Sequence, residues 1–363
     1  MLKSITISNF RGIKKGSIDN LSQITILIGK NCVGKSSILE ALYLVSACAS
    51  KHDPLRNMDK LDYVIYRRGG RGEWNRNRYV LWYQQNVKEP IKINLKIKDK
   101  LYEFLIIDEV KHNYPVRLKL NDDFIDLETQ SRIYRHERIY VSDRVEALKA
   151  VLESKEEKRS ESSGLDEVRE FLKGVVFIDN RLLMNYVDLT EKSAWRLVTA
   201  RRLDKVIVEL LREEFEPDSE GLTYIPYDQH YALSLQTSRT TFRIDELGDG
   251  ARYAVLSSLI ILAYRPSLLL IEEPELHMHP RGLYALLKFI LKLSKERGFQ
   301  VIMTTHSVEA ALIIGRVCEE LGMDASFKFI EREEGILKVR DFAIEEAEIL
   351  RKSGIDLRLL DMF

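Results

Sequence analysis

A chain of 363 residues with 45% hydrophobic and 9% aromatic side chains can bury a sizeable core, as one large or two modest domains. Lysine plus arginine (56) equals aspartate plus glutamate (56), which excludes a globally basic nucleic-acid binder but leaves a local basic patch open. Three dispersed cysteines exclude a disulfide framework or a cysteine-zinc cluster, and no apolar run approaches the ~20 residues that span a bilayer, so the expectation is a cytoplasmic protein without a membrane partner.

In chain order, KSITISNF alternates as a strand and ITILIG is a short apolar run ending in Gly29. From Ser36, the residues Ile38, Leu42, Val45 and Ala49 recur at helical spacing and predict a helix to about Ser50. Residues 51–80 read as irregular, rich in Arg and Gly. IKINLKIKDKLYEFLIID predicts a hairpin with one wet face, and short strands continue to RIYVS. The polar ESKEEKRSESSGLDEVRE reads as a solvated helix end or mobile loop within a mostly helical stretch, 142–215. Strands return near 222. A helix over Ala251 to Ala263, the strand SLLLI, a helix, the strand QVIMTTHS, another helix and a final strand pair and helix complete the chain. This order predicts one α/β domain split in sequence, 1–141 and 216–363, with an antiparallel β subdomain and a helical insertion at 142–215.

GKNCVGKSS matches G-x-x-x-x-G-K-[ST], placed between a strand and a helix as a phosphate loop requires. The expected nucleotide-binding residues are Gly29, Lys30, Asn31, Cys32, Val33, Gly34, Lys35, Ser36 and Ser37. The glycines let backbone N–H groups curl around phosphate, and the helix N-terminus adds its positive dipole end. Lys35 is expected to reach the β and γ phosphates, and the Ser36 hydroxyl to ligate Mg²⁺. In SLLLIEEPELHMHP an apolar strand runs into Glu272 and Glu273, which repel unless a cation intervenes. The carboxyl end of a buried parallel strand opens onto a ligand crevice, so Glu272 is assigned to the metal and Glu273 to polarising water. His306 ends VIMTTHS and is expected at the γ-phosphate. The pair His277 and His279 reads as packing or capping, with metal binding the lesser alternative. In DELGDGAR, a Gly-rich turn opens an apolar helix just before the glutamate strand.

Together these elements resemble the ABC/SMC-type ATPases, and most closely the stand-alone AAA-class ATPases related to RecF and the OLD proteins. ITISNFRGIKK, LIGKNCVGKSSILEAL, ELGDGAR, LLLIEEPELHMHP and MTTHS are similar to that family's N-terminal strand, Walker A, signature, Walker B with D-loop, and switch histidine. The resemblance implies two heads sandwiching two ATPs, with Gly248 and Gly250 of one signature facing the partner's phosphate loop. Three departures stand out: Cys32 where glycine is common, Glu272 where aspartate is common, and Gly248 where many members carry serine. The residues after His306 are too few for the nuclease domain of OLD proteins, and sustained heptads for a long coiled coil are missing.

The expected function is Mg²⁺-dependent ATP hydrolysis by a homodimer, with Lys35, Glu273 and His306 catalytic, serving DNA repair or phage defence beside a nuclease. The alternative is a nucleotide-gated clamp on DNA or protein with incidental turnover; a transporter subunit comes third. YRRGGRGEWNRNRY, residues 66–79, combines Arg with Trp74 and Tyr79 and is weighed as a DNA contact against a plain surface loop.

Overall fold

The computed structural model describes residues 1–69, 73–108, 116–120, 123–126, 131–133, 157–185, 187–227, 230–276 and 278–354. Among these residues a thirteen-stranded sheet runs through the molecule. Its parallel block places β3 (Ile24–Ile28) between the strands Gln300–Thr305 and Ala325–Glu333. Beyond Gln300–Thr305 come Leu268–Glu272 and then Val175–Ile178, also parallel. The other half is mainly antiparallel and carries β1 (Leu2–Phe10), β2 (Ile13–Ile18) and the hairpin Ile91–Ile97 with Lys100–Ile106.

The apolar runs of the parallel strands reflect burial on both faces. Leu269 and Ile271 face one core with helices Asp249–Tyr264, Pro280–Arg297 and Val308–Leu321. Leu268 and Leu270 face the other, which contains α1 (Lys35–Ser46). Strand Ile91–Ile97 alternates buried and exposed residues, as its sequence predicts for a strand with one wet face.

Several expectations change. Instead of showing one apolar stripe, α1 is buried nearly all round. It lies against α2 (Lys60–Gly69) and against helix Glu157–Lys173 as well as the sheet. The segment read as irregular thus contains α2. Leu61, Val64 and Ile65 form its buried stripe, and Arg67 and Arg68 complement the dipole in its last turn. Of the polar stretch 153–170, residues 157–170 belong to a helix and the rest lie outside the described residues. Residues 142–215 hold helices Val187–Ala200 and Asp204–Glu214, but also strand Val175–Ile178, which pairs with the glutamate strand. That stretch therefore supplies an edge of the central sheet, a role its short VVFI run did not announce. The helix expected from Ala251 starts at Asp249.

Because Leu270 is fully buried in the middle of this block, Leu270→Ala should cost about 3 kcal/mol of unfolding free energy. Urea denaturation should show a lower midpoint with an unchanged slope.

Candidate active site

Strand register brings the expected residues to one edge. Ile28 pairs with Thr305, Thr304 with Glu272, and Ile271 with Ile178. The carboxyl ends of four parallel strands are therefore level, and Gly29, His306, Glu273 and Asp179 leave the sheet side by side. This is where open α/β sheets bind ligands.

The 29–37 loop has the shape a phosphate needs. Gly29 has φ +149°, and a Cβ there would lie 2.3 Å from the Ile330 carbonyl oxygen, so only glycine fits. Gly34 has φ +113° and caps α1. No side chain caps α1 and no acid sits in its first turn, which leaves those N–H donors for an anion. Cys32 adopts φ 64°, the left-handed conformation that glycine takes without strain. The cysteine thus keeps the turn instead of altering it. Asn31 and Cys32 are exposed, Lys30, Val33 and Ser36 partly so, and Ser37 is buried. Lys35 folds across the loop, its Nζ donating to the carbonyls of Gly29 and Lys30 at 2.6 Å each. Burial pulls its pKa down, opposed by Glu273, Glu275 and Glu272.

Three carboxylates face this loop in three environments. Glu272 ends its strand ion-paired with Arg67, and burial raises its pKa against the pull of Arg67 and the Ser36 hydroxyl. Glu273 has φ 48°, and its Oε1 lies 3.2 Å from His306 Nδ1. The hydrogen bond from His306 lowers the Glu273 pKa, and the same bond raises that of His306. Glu275 accepts the Thr305 hydroxyl at 2.6 Å and approaches His306 Nδ1 to 3.9 Å, while its Oε2 is buried without a hydrogen-bond partner. Burial pushes the Glu275 pKa up. Two neighbouring carboxyls with opposite shifts can divide their roles.

Behind the loop lies an ion network that sequence reading missed. Arg67, 8% exposed, pairs with Glu40 of α1, with Asp179 (3.1 Å) and with Glu272. Glu40 also meets Arg11 at 3.1 Å and Arg68 at 2.8 Å, and Arg68 donates to the Ser37 hydroxyl at 3.1 Å. Asp179 accepts from Arg56 at 3.1 Å and from the Tyr63 hydroxyl at 2.6 Å. Arg56 continues to Asp53 at 2.6 Å. The signal for this was Glu40 itself, a lone acid in the apolar run ILEALYLV.

The 66–79 segment is corrected by the same contacts. Arg67 and Trp74 are buried, so neither is a surface DNA contact; Tyr79 is exposed and Arg71 lies outside the described residues. His279 caps helix Pro280–Arg297, its Nδ1 accepting from the Arg281 N–H at 3.3 Å, and His277 lies outside the described residues. Gly248 is exposed at the start of helix Asp249–Tyr264, with open space around the position of a Cβ. A serine there would fit. Gly250 follows, half-buried, in the helix's first turn.

This edge, a phosphate loop beside twin acids and a histidine, defines an ABC/SMC-type P-loop ATPase. Residues 24–312 match the family described as "AAA domain, putative AbiEii toxin, Type IV TA system", and the chain belongs to that family. It is similar to an ATP/GTP phosphatase of Helicobacter pylori, 22% identical over 343 residues, covering 88% of this chain and 89% of that protein. It also resembles the energy-coupling factor transporter ATP-binding protein EcfA1 of Caldanaerobacter subterraneus, 31% identical over 105 residues, 27% of this chain and 38% of that one. The chain spans less than half the length of several curated relatives that it matches. In fold it resembles an SMC head bound to the C-winged helix domain of ScpA, with a TM-score of 0.55 and 13% identity over 96% of this chain and 99% of that one. Among the described residues, no helix is long and apolar enough to cross a membrane.

The His306–Glu273 pair makes stability depend on pH. Glu273, with its pKa lowered, contributes above its unfolded value of about 4.3 and loses that contribution as pH falls through the folded pKa. His306, with its pKa raised, contributes fully below about 6.5 and loses it as pH rises through the folded pKa. His306→Gln should therefore lower the melting temperature of the nucleotide-free protein more at about pH 6 than at about pH 9. Equal losses at the two pH values would show that the pair carries no charge contribution.

Proposed function

We propose that this chain hydrolyses ATP with Mg²⁺ and dimerises around the nucleotide. The observation that carries the reading is the convergence at one sheet edge of Glu272 and the Glu273–His306 pair, beside the phosphate loop. The printed name of the H. pylori relative, a phosphatase of ATP or GTP, supports the same reaction class. The residues suit a magnesium ion. Among the described residues no cluster of three or more His, Cys, Asp or Glu could hold a metal by itself. A cation here would rest on Ser36 and Glu272 and complete its shell from phosphate oxygens and water, the habit of Mg²⁺ at nucleotide sites. When bound, it supplies charge neutralisation at the β and γ oxygens.

The protein's own groups then divide the work. Lys35 exchanges the two loop carbonyls for phosphate oxygens. The α1 N–H groups hold the same anion. Glu273 accepts a proton from the attacking water, and His306, tied to Glu273 through Nδ1, keeps Nε2 for the γ-phosphate. The turn at 248–250, opening a helix that no side chain caps, suits the γ-phosphate of a partner's nucleotide through its backbone N–H groups. Work in DNA repair or phage defence with a nuclease partner belongs to this reading through the resemblance to RecF and OLD proteins.

Glu273→Gln should retain Mg·ATP but lower turnover by about 10²-fold or more, measured as phosphate release. A mutant hydrolysing at the wild-type rate would remove Glu273 as the base. For the shared site, Gly250→Asp protein should bind ATP yet neither dimerise nor hydrolyse, and excess Lys35→Ala protein should restore activity to it. Full activity of Gly250→Asp as a monomer would end the two-chain reading.

A further inference from the structure

Arg67 stands at a junction. Its guanidinium, carried by the last turn of α2, reaches one acid from each of three elements: Glu40 of α1, Asp179 beyond strand Val175–Ile178, and Glu272. The three acids depend on it unequally. Without Arg67, Glu40 would keep Arg11 and Arg68. Asp179 would keep Arg56, the Tyr63 hydroxyl and the Leu182 N–H at 2.9 Å. Glu272 has no second ion pair among the described residues. Loss of Arg67 thus bares the charge of one carboxylate above the others, and that carboxylate faces the phosphate loop.

We propose that Arg67 is a positioning residue of the nucleotide site, which holds Glu272 at the strand end beside the phosphate loop and offsets its charge before any divalent cation arrives. The inference rests on the reading of this edge as an ATP site. A bare carboxylate at the end of a buried strand would repel the triphosphate of metal-free ATP, and little solvent would screen it. With Arg67 paired to it, that repulsion is cancelled and ATP can enter with or without its metal. The glutamate at this position, one methylene longer than the common aspartate, reaches the guanidinium from the strand end.

The test is calorimetric titration of ATP, in EDTA and separately in excess MgCl₂, into wild type, Arg67→Gln, Arg67→Lys, Glu272→Gln and the double mutant Arg67→Gln/Glu272→Gln. Wild type should bind ATP in both buffers. Arg67→Gln should weaken metal-free binding by about tenfold or more while changing Mg·ATP binding by less than about threefold, and Arg67→Lys should keep metal-free affinity within about threefold of wild type. In the Glu272→Gln background, Arg67→Gln should leave metal-free affinity within about threefold, since the charge that Arg67 offsets is gone. Equal weakening in both buffers, or a tenfold loss that persists without Glu272, would show that Arg67 acts on phosphate or on the fold, and would overturn the proposal. So would wild type that binds ATP only with Mg²⁺. Should Arg67→Gln fail to fold by circular dichroism, the comparison within the Glu272→Gln background decides alone; failure of the double mutant as well would make Arg67 a structural residue and refute the inference. Wild type that binds no ATP in either buffer would instead refute the ATP-site reading beneath it.

Discussion

A carboxylate driven into the interior at the end of an apolar strand must be neutralised where it lies. Desolvating an isolated charge costs several kcal/mol even after relaxation, and pairing recovers this only when geometry and hydrogen bonds are good. Glu272, Asp179 and Glu40 meet that requirement together, through arginines on β1's turn, on the segment after α1 and on α2. The network spans the junction of α2 with α1, whose apolar side chains share one core, and reaches strand Val175–Ile178 through Asp179, the residue that follows it. The sheet edge is thus a layer of matched charge, with the phosphate loop resting on it.

On top of that layer the backbone is held in conformations that free chains avoid. Cys32 and Glu273, neither of them glycine, both have positive φ. Strain of this kind costs of order 1–3 kcal/mol per residue and persists where surrounding structure over-determines it. For Glu273 the constraint is visible: its N–H donates to the Thr304 carbonyl at 3.1 Å and its side chain is bound to His306. That turn aims Glu272 and Glu273 differently, one toward Arg67, the other toward His306. Adjacent acids in sequence thereby acquire separate partners and opposite pKa shifts.

Much of the site was legible because its residues obey local rules. The glycines, Lys35 and Ser36 sit at fixed spacing after a strand, and the run LLLI ends in two acids, patterns that backbone geometry imposes within a few residues. The ion network was not legible, since Glu40, Arg67 and Asp179 are far apart in sequence and only the fold joins them. Its arginines misled for the same reason: Arg67 beside Gly and Trp74 looks like a surface loop until α2 turns it inward. Strand Val175–Ile178 was absorbed into a helical stretch because four apolar residues fit either structure, and its pairing with Leu268–Glu272 is long-range. The wet-faced hairpin and the buried parallel strands were readable, as period and length distinguish them.

Binding of ATP at this edge can be read on wild-type protein by cross-linking with 8-azido-ATP in Mg²⁺, which labels residues near the base, and by following alkylation of Cys32 in the phosphate loop. Labelling should be saturable and competed away by unlabelled ATP, and bound nucleotide should protect the exposed Cys32 thiol from alkylation. Cys32 alkylated at the same rate with and without saturating ATP, and no competable labelling, would contradict ATP binding at this edge.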